Sequence, residues 1–254
     1  MLEYPKRFVR KLARRIAGPI DPALARATIG PDEIELYPHR LDGMASRHND
    51  GFRNDPVFAS AYARAVQAAG WDYGVPWRVH QHLWCADLAR KVEGDVVELG
   101  TGRGFFMSAV VAAWPGWSES TRSLHLFDTF EPGFVQADGT RGPDSPFYAA
   151  SFEDTARNFA EWPRVHLYCG DLFETLPDAP IDRIAFLHID LNHKDPETFG
   201  LRHLWDRVPR GGVVLLDDYA YFTCEAQHEA MNALAAELGF SILSTPTGQG
   251  IIVK

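Results

Sequence analysis

The chain has 254 residues, of which 46% are hydrophobic and 23% are charged, and its formal net charge is −9. This composition is typical of a globular protein with a sizeable core, and the negative charge argues against a general nucleic-acid binder. No apolar run approaches the roughly 20 residues that span a bilayer, and the N-terminus lacks the apolar segment of a secretory signal. We therefore expect a cytoplasmic protein without stable membrane insertion.

Three helices are predicted in the N-terminal part of the chain. The basic stretch at 4–18 has apolar residues every four positions, which is typical of an amphipathic helix. Its basic face is either a docking element for a partner or a membrane surface, or the solvated side of a helix packed on the body. The stretches at 55–70 and 77–92 are also helical in pattern, and Asp55 is a cap for the first of them.

From residue 95 onward, short β-rich runs alternate with helical patterns. The predicted strands are 95–100, 123–128, 165–171, 184–191 and 211–218, the predicted helices are 105–114, 151–162, 196–208 and 224–239, and "SILSTP" and "GIIVK" are a closing antiparallel pair. This alternation predicts a mostly parallel sheet with helices on both faces. We predict an α/β, Rossmann-like domain at 91–254, preceded by a helical and lid region at 1–90.

A glycine-rich turn, "ELGTGRG" (98–104), follows the first of these strands and opens a helix. Gly100, Gly102 and Gly104 allow a tight turn and the close approach of a ligand. The dinucleotide fingerprint requires GxGxxG with an acid about 20 positions on, whereas here the acid, Glu98, precedes the glycines. A carboxylate at this place favours the amino group or sulfonium of S-adenosylmethionine over a pyrophosphate.

Acidic residues also end the later strands, and the carboxyl ends of parallel strands line the crevice where ligands bind. Asp128 is predicted to accept hydrogen bonds from the ribose hydroxyls of the cofactor, and Asp171 from its adenine amino group. The full predicted cofactor-binding set is Glu98, Gly100, Thr101, Gly102, Gly104, Asp128, Thr129, Asp171 and Asp190.

Two adjacent carboxylates, Asp217 and Asp218, end a predicted strand in "LLDDYAY", and Asp190 ends the strand before it. If these strands are neighbours, the three carboxylates meet, and such an oxygen-rich site suits Mg²⁺ or another hard divalent cation. A cation would remove the repulsion between the acids and lower the pKa of a substrate hydroxyl. The alternative is a helix cap followed by a surface acid.

His193, three residues after Asp190, is a candidate base for the substrate proton, because an imidazole titrates near neutral pH. It is alternatively a metal ligand or a hydrogen-bonding group of the loop, and Asp190 is the rival base. His188, inside a strand, is expected to be a satisfied core histidine. The irregular segment at 130–151 is predicted to cover the cofactor crevice.

The stretch "VVELGTGRG" resembles motif I of the class I S-adenosylmethionine-dependent methyltransferases, and the resemblance covers roughly residues 90–254. With "LFDTFEPG", "LHID" and "PRGGVVLLDDY", the chain is similar to the macrocin O-methyltransferase (TylF-type) family of sugar O-methyltransferases. The resemblance implies that Asp190, Asp217 and Asp218 hold Mg²⁺, which chelates a deoxysugar diol on an antibiotic.

The family pattern after the first metal aspartate is roughly D-x-D-x-Y, whereas this chain has "DLNHKDPET", with Asn192 and His193 in that stretch. This departure bears on the substrate more than on the reaction. We predict a cofactor- and metal-dependent O-methyltransferase acting on a small-molecule hydroxyl, such as a natural-product sugar or diol. The alternatives are a catechol-type O-methyltransferase, a nicotinamide-dependent oxidoreductase and a non-catalytic S-adenosylmethionine-binding protein, and formation of a homo-oligomer is left open.

Overall fold

A computed structural model of the chain describes residue 39 and residues 41–46, 48–130 and 150–254. Its contacts divide the chain into two compact units, Met1–Asn49 and Asp50–Lys254. The predicted basic helix at 4–18 lies outside the described residues, as does nearly all of the segment at 130–151 that is predicted to cover the crevice.

The second unit begins with two helices, α1 (Pro56–Ala69) and α2 (Pro76–Ala89), which confirm the helices predicted there. The Asp55 carboxylate accepts hydrogen bonds from the first-turn backbone amides, so its role as a cap is also confirmed. Both helices belong to the same compact unit as the sheet. The assignment of 1–90 as a lid stays a prediction.

The rest of the unit is a seven-stranded sheet whose elements alternate as predicted. The strands are β1 (Asp95–Leu99), β2 (Leu124–Asp128), β3 (Val165–Cys169), β4 (Ile184–Ile189), β5 (Val213–Leu216), β6 (Leu243–Ser244) and β7 (Gly250–Val253), and the intervening helices are α3 (Phe105–Ala113), α4 (Phe152–Phe159), α5 (Leu172–Thr175), α6 (Lys194–Leu204) and α7 (Glu225–Leu238). Their spatial order is β3-β2-β1-β4-β5-β7-β6. The first five strands pair in parallel and the last two close the sheet antiparallel, so the predicted α/β architecture is confirmed.

Both faces of the central strands are buried, because alternate side chains along a strand point to opposite faces. One face packs Val97, Leu187 and Leu216 against a core that includes Leu201 of α6, and the other packs Val96 and its neighbours against a core that includes Cys85 of α2. Helices α2 and α6 therefore approach the sheet from opposite faces, and the ends of β4 and β5 lie between them.

The main differences from the predicted elements lie in short helices. Helix α5 was not predicted, and α6 begins at Lys194 instead of 196 because the His193 side chain caps it. A 3₁₀ turn, Trp205–Arg207, replaces the last predicted turn of α6. Within the described parts of the chain, the helices fall short of the length and apolar character that crossing a membrane requires.

Candidate active site

The candidate site lies where the strand order reverses, at the carboxyl ends of β1, β4 and β5. The Asp190 amide donates to the Leu99 carbonyl at 2.8 Å, and the Asp217 amide donates to the Ile189 carbonyl at 2.9 Å. Strand β4 therefore lies between β1 and β5, so the strands preceding Asp190 and Asp217 are neighbours, which is the condition on which the predicted meeting of their acids depended. In an open α/β sheet, this reversal is where ligands bind.

The glycine loop packs directly against the backbone that follows β4. Gly100 has a φ of +90°, and a Cβ at this position would overlap the carbonyl oxygen of Asp190. Gly102 has a φ of +52°, but a Cβ there would meet no atom within 4 Å. The loop thus needs glycine at position 100 for contact with the chain and leaves open space at position 102, where a ligand can approach the backbone.

This difference gives a matched pair of substitutions. Gly100→Ala is expected to lower the free energy of unfolding by about 3 kcal/mol, from a backbone clash added to left-handed strain. Gly102→Ala carries the left-handed strain alone and is expected to cost about 1 kcal/mol. Urea unfolding of both variants measures the difference, and equal losses would contradict the packing of Gly100 against Asp190.

Asp128 holds the glycine loop through its side chain. Its Oδ2 accepts from the Gly102 amide at 2.7 Å and its Oδ1 from the Phe130 amide at 2.8 Å. Burial raises the pKa of Asp128, although these backbone amides act to lower it. Each carboxylate oxygen can accept more than one hydrogen bond, so the group retains capacity for a ribose hydroxyl.

Among the other predicted cofactor residues, Thr101 and Thr129 make contacts through their backbone, whereas Asp171 caps a helix through its side chain. The amide of Thr101 donates to Phe127 at 3.1 Å, and the carbonyl of Thr129 accepts from the Cys169 thiol at 3.7 Å. Asp171 lies beyond the end of β3, where its carboxylate accepts from the Phe173 amide at 2.9 Å and caps α5. Its predicted contact with an adenine ring stays a prediction.

Glu98 has an internal positive partner. Its Oε1 lies 2.9 Å from Nδ1 of His188, the residue paired with it across β1 and β4. Burial alone would lower the pKa of His188, but the carboxylates of Asp217 and Glu98 raise it to about 10. His188 is buried as expected, but the expectation of a satisfied histidine is met only at Nδ1, because Nε2 has no hydrogen-bond partner among the described residues and lies 3.9 Å from Oδ1 of Asp217. The raised pKa favours the charged imidazolium between Glu98 and Asp217.

Arg78 on α2 is the main site residue that the sequence analysis missed. Its Nη1 forms a buried ion pair with Oδ2 of Asp217, and its Nη2 donates to the Thr247 carbonyl at 3.1 Å. Gln249 donates from Nε2 to the other carboxylate oxygen of Asp217 at 2.6 Å. Burial opposes ionisation of Asp217, but Arg78 and His188 hold its pKa well below the ordinary value.

The other two predicted metal aspartates lack such compensation. Burial, followed by the charge of Asp217, raises the pKa of Asp218 to about 7. Burial and the charges of Asp217 and Asp218 raise the pKa of Asp190 well above its usual range. Oδ2 of Asp218 is buried and finds no hydrogen-bond partner among the described residues. The three acids thus repel one another, and a cation would relieve that repulsion.

Among the residues that the structure describes, the set with ligand atoms all within 4.8 Å of one another is His82, His188 and Asp217. Asp190 and Asp218 are not members of this set. Both oxygens of Asp217 already accept from Arg78 and Gln249, so a divalent ion here would lie beside a guanidinium. This buried set is therefore described as a hydrogen-bonding and charge network. It differs from the predicted metal centre, which consists of Asp190, Asp217 and Asp218.

His193, the predicted base, caps α6. Its Nδ1 accepts from the Asp195 amide at 3.3 Å, and the nearer oxygen of the Asp195 carboxylate lies 3.8 Å from the same nitrogen. In a neutral imidazole this arrangement puts the proton on Nε2, which is then a donor. The loop position predicted for His193 is therefore observed, while its part in proton transfer stays a prediction.

The strand order, the glycine turn and the acids beyond the strands are those of a class I methyltransferase fold. Among solved structures, the O-methyltransferase NovP superposes with a TM-score of 0.64 at 22% sequence identity, over 81% of this chain and 99% of that chain. At this identity the likeness establishes the fold.

The profile described as Macrocin-O-methyltransferase (TylF) matches residues 80–237, which is more than half of the chain. The chain therefore belongs to the macrocin O-methyltransferase (TylF) family.

Two curated relatives are similar over part of their lengths. The 8-demethyl-8-(2,3-dimethoxy-alpha-L-rhamnosyl)-tetracenomycin-C 4'-O-methyltransferase of Streptomyces olivaceus is 30% identical over 170 residues, which cover 60% of this chain and 64% of that protein. The mycinamicin III 3''-O-methyltransferase of Micromonospora griseorubida is 27% identical over 203 residues, which cover 68% of this chain and 78% of that protein. The chain thus matches less than two thirds of the length of the first relative.

Proposed function

We propose that this protein is an S-adenosylmethionine-dependent, divalent-metal-dependent O-methyltransferase that acts on a hydroxyl of a small molecule, namely a sugar or diol of a natural product. The observation that carries this proposal is the contact of the glycine loop with the backbone of Asp190, because it puts a cofactor-type turn beside a buried cluster of acids. Membership of the family and the names of both relatives support a sugar hydroxyl as the acceptor.

The cofactor is proposed to lie along the glycine loop. S-adenosylmethionine supplies a methyl group on a cationic sulfonium. Gly102 lets the ligand approach the backbone, and Asp128 accepts from the ribose hydroxyls while its bonds to the loop fix its position. Gly100, Thr101, Gly104 and Thr129 shape the loop and the end of β2. Glu98 lies beneath the loop, where its Oε1 is paired with Nδ1 of His188 and its Oε2 has no hydrogen-bond partner among the described residues.

Asp190, Asp217 and Asp218 are proposed to hold the divalent ion, with Mg²⁺ as the expected metal. When bound, such an ion lowers the pKa of a coordinated hydroxyl. Two observations support a cation beside these acids: burial and mutual repulsion raise the pKa values of Asp190 and Asp218, and one oxygen of Asp218 is unpartnered within the described structure. The ligand atoms of the three aspartates do not all lie within 4.8 Å of one another, so one shared ion would require their side chains to move closer together. Arg78 keeps Asp217 ionised and fixes its orientation.

The substrate proton has two proposed acceptors, Asp190 and His193. The geometry favours Asp190, because Nδ1 of His193 already accepts from a backbone amide of α6. His193→Ala separates the two, since loss of a base changes the pH–rate profile, whereas loss of a helix cap lowers stability by about 1 kcal/mol and leaves the profile unchanged.

The reaction is tested by incubating the purified chain with S-adenosylmethionine, Mg²⁺ and a panel of acceptors. The proposal predicts mass-spectrometric detection of one added methyl group on glycosides with vicinal sugar hydroxyls. Methylation of catechols alone would replace the sugar acceptor with the catechol alternative. Binding of S-adenosylhomocysteine without transfer to any acceptor supports a non-catalytic binding protein, and binding of a nicotinamide cofactor supports the oxidoreductase alternative.

The raised pKa of Asp218 predicts a pH-dependent effect of Mg²⁺ on stability. A carboxyl with a folded-state pKa of about 7 keeps its proton up to a higher pH in the folded chain than in the unfolded chain, where the pKa is about 4. The free energy of unfolding of the metal-free protein therefore falls as the pH rises through this interval. Mg²⁺ binds the ionised acids, so it is expected to raise the melting temperature more at about pH 8 than at about pH 5.5. Fluorimetric melting curves measure this, and an Mg²⁺ effect independent of pH would contradict the cation role of Asp218.

The remaining predictions concern the partners and the cellular location of the protein. A small-molecule acceptor as the principal partner follows from the proposed reaction. A cytoplasmic location and the absence of nucleic-acid binding stay predictions, and the oligomeric state stays open.

A further inference from the structure

The loop that joins β5 to α7 carries two adjacent aromatic side chains at the surface. Tyr221 is 40% exposed and Phe222 is 55% exposed, and we call this pair the aromatic rim. The amide of Tyr221 donates to the carbonyl of Asp218 at 3.3 Å, so the rim begins one turn beyond the buried acids. A single exposed apolar side chain is ordinary on a protein surface, but an adjacent aromatic pair at the edge of a ligand site requires an explanation.

The ring of Tyr221 lies over the buried ion pair of the site. Cζ of Arg78 is 4.6 Å from the centroid of this ring, which is the distance of a cation–π contact. Arg78 is in turn paired with Asp217, and both of these side chains are buried. Tyr221 therefore covers the ion pair on its solvent side, and the exposed part of its side chain is directed away from the guanidinium.

Backbone contacts hold the loop in this conformation. Gly248 has a φ of +88°, and a Cβ there would lie 2.8 Å from Cα of Tyr221. The amide of Ala220 donates to the carbonyl of Gly248 at 2.6 Å, and the carbonyl of Tyr221 accepts from the amide of Cys224 at 3.1 Å. Thr223 has a φ of +75°, which is rare for a β-branched residue and is found mainly at functional sites. The ring of Tyr221 is thus presented by a preorganised loop, which lowers the cost of ordering it when a ligand binds.

We propose that Tyr221 is a specificity-determining residue whose ring stacks on the C–H face of the acceptor sugar. This inference rests on the proposed function, because it takes a sugar hydroxyl as the methyl acceptor. One face of a pyranose ring presents mainly C–H groups, and the negative face of an aromatic ring attracts them. The hydroxyls lie around the edge of the sugar, so a sugar stacked on Tyr221 can direct them toward the acids beyond β4 and β5. Phe222 extends the apolar surface beside it for the group that carries the sugar.

Binding of methyl α-L-rhamnopyranoside, which has vicinal hydroxyls and no aromatic group, tests this role without relying on turnover. Ligand-observed NMR measures its Kd for the full chain with S-adenosylhomocysteine and Mg²⁺ present. Tyr221→Leu keeps an apolar side chain but removes the aromatic face, whereas Tyr221→Phe keeps the face, and Trp84→Ala removes a similarly exposed aromatic side chain from α2 as the control. We expect the Kd to rise about five- to tenfold in Tyr221→Leu and to stay within about twofold of the wild type in the other two variants. Saturation transfer to the sugar C–H protons is expected in the wild type and Tyr221→Phe and should be strongly reduced in Tyr221→Leu.

The outcomes separate this inference from the proposed function. Equal affinities of the wild type and Tyr221→Leu would overturn the stacking role and leave the methyl-transfer reaction in place, since Tyr221 would then only cover Arg78. A wild type that does not bind the glycoside at millimolar concentrations would also overturn the stacking role, and the methyl-transfer assay on the acceptor panel then decides the proposed function separately. If Tyr221→Leu does not fold, as judged by circular dichroism, Tyr221→Met is titrated instead, and the same weakening is expected because methionine also lacks an aromatic face.

Discussion

Asp190→Asn is expected to lower the rate of methyl transfer by about a thousandfold or more, while the affinity for S-adenosylhomocysteine changes by less than about threefold. In the proposed mechanism, the substitution removes one charged ligand from the ion that would activate the acceptor hydroxyl, a contribution of several kcal/mol to catalysis. The glycine loop packs against the main-chain carbonyl of Asp190, not against its side chain, so the cofactor site should survive. Single-turnover transfer and calorimetry measure the two quantities on the same preparation.

Asp178→Asn is the matched control, because it makes the same change at an exposed position outside the site and should alter neither quantity. Two results would contradict the assignment of Asp190. One is transfer by Asp190→Asn at a rate within tenfold of the wild type. The other is a loss of cofactor affinity as large as the loss of rate, which would place the Asp190 side chain in the cofactor site instead of a separate metal site.

Arg78→Met is expected to lower the free energy of unfolding by about 3–5 kcal/mol, the largest stability effect that the structure predicts. The substitution leaves Asp217 buried with His188 and Gln249 but without its guanidinium. Removing both partners is expected to be milder than the sum of the single changes, because Arg78→Met/Asp217→Asn no longer buries an uncompensated charge. Urea unfolding of the two single variants and the double variant gives the coupling free energy between these side chains.

The surface pair of Arg90 and Asp87 provides the comparison, since both side chains are largely exposed. Arg90→Met is expected to cost no more than about 1 kcal/mol. If Arg78→Met proved equally mild, or if the two changes at Arg78 and Asp217 were simply additive, the buried ion pair would not have the energetic role assigned to it.

The sequence was sufficient to predict the architecture and to put the candidate acids at one edge of the sheet. The alternation of strands and helices after residue 95 requires a mostly parallel sheet, and acids at strand ends necessarily share an edge of that sheet. This reasoning left open whether the strands before Asp190 and Asp217 are neighbours, and the observed strand order meets that condition. It did not predict where each carboxylate finds its partner, because those partners come from elements distant in sequence.

Arg78 is an example of a partner that could not be predicted because it is distant in sequence. It lies 139 residues before Asp217, in a helix whose pattern is mainly apolar, and only the packing of α2 on the sheet brings them together. The spacing of Arg78 and His82, four residues apart on the buried face of that helix, was the available signal.

The central claim is that the acids beyond β4 and β5 form a divalent-cation site at which an alcohol is methylated. It is tested most directly by assaying methyl transfer from S-adenosylmethionine to a vicinal-diol glycoside after the protein has been stripped of metal with a chelator. The claim predicts that transfer falls to the background rate in the stripped protein and returns when Mg²⁺ is added in excess. Transfer at the full rate by the metal-free protein would contradict it.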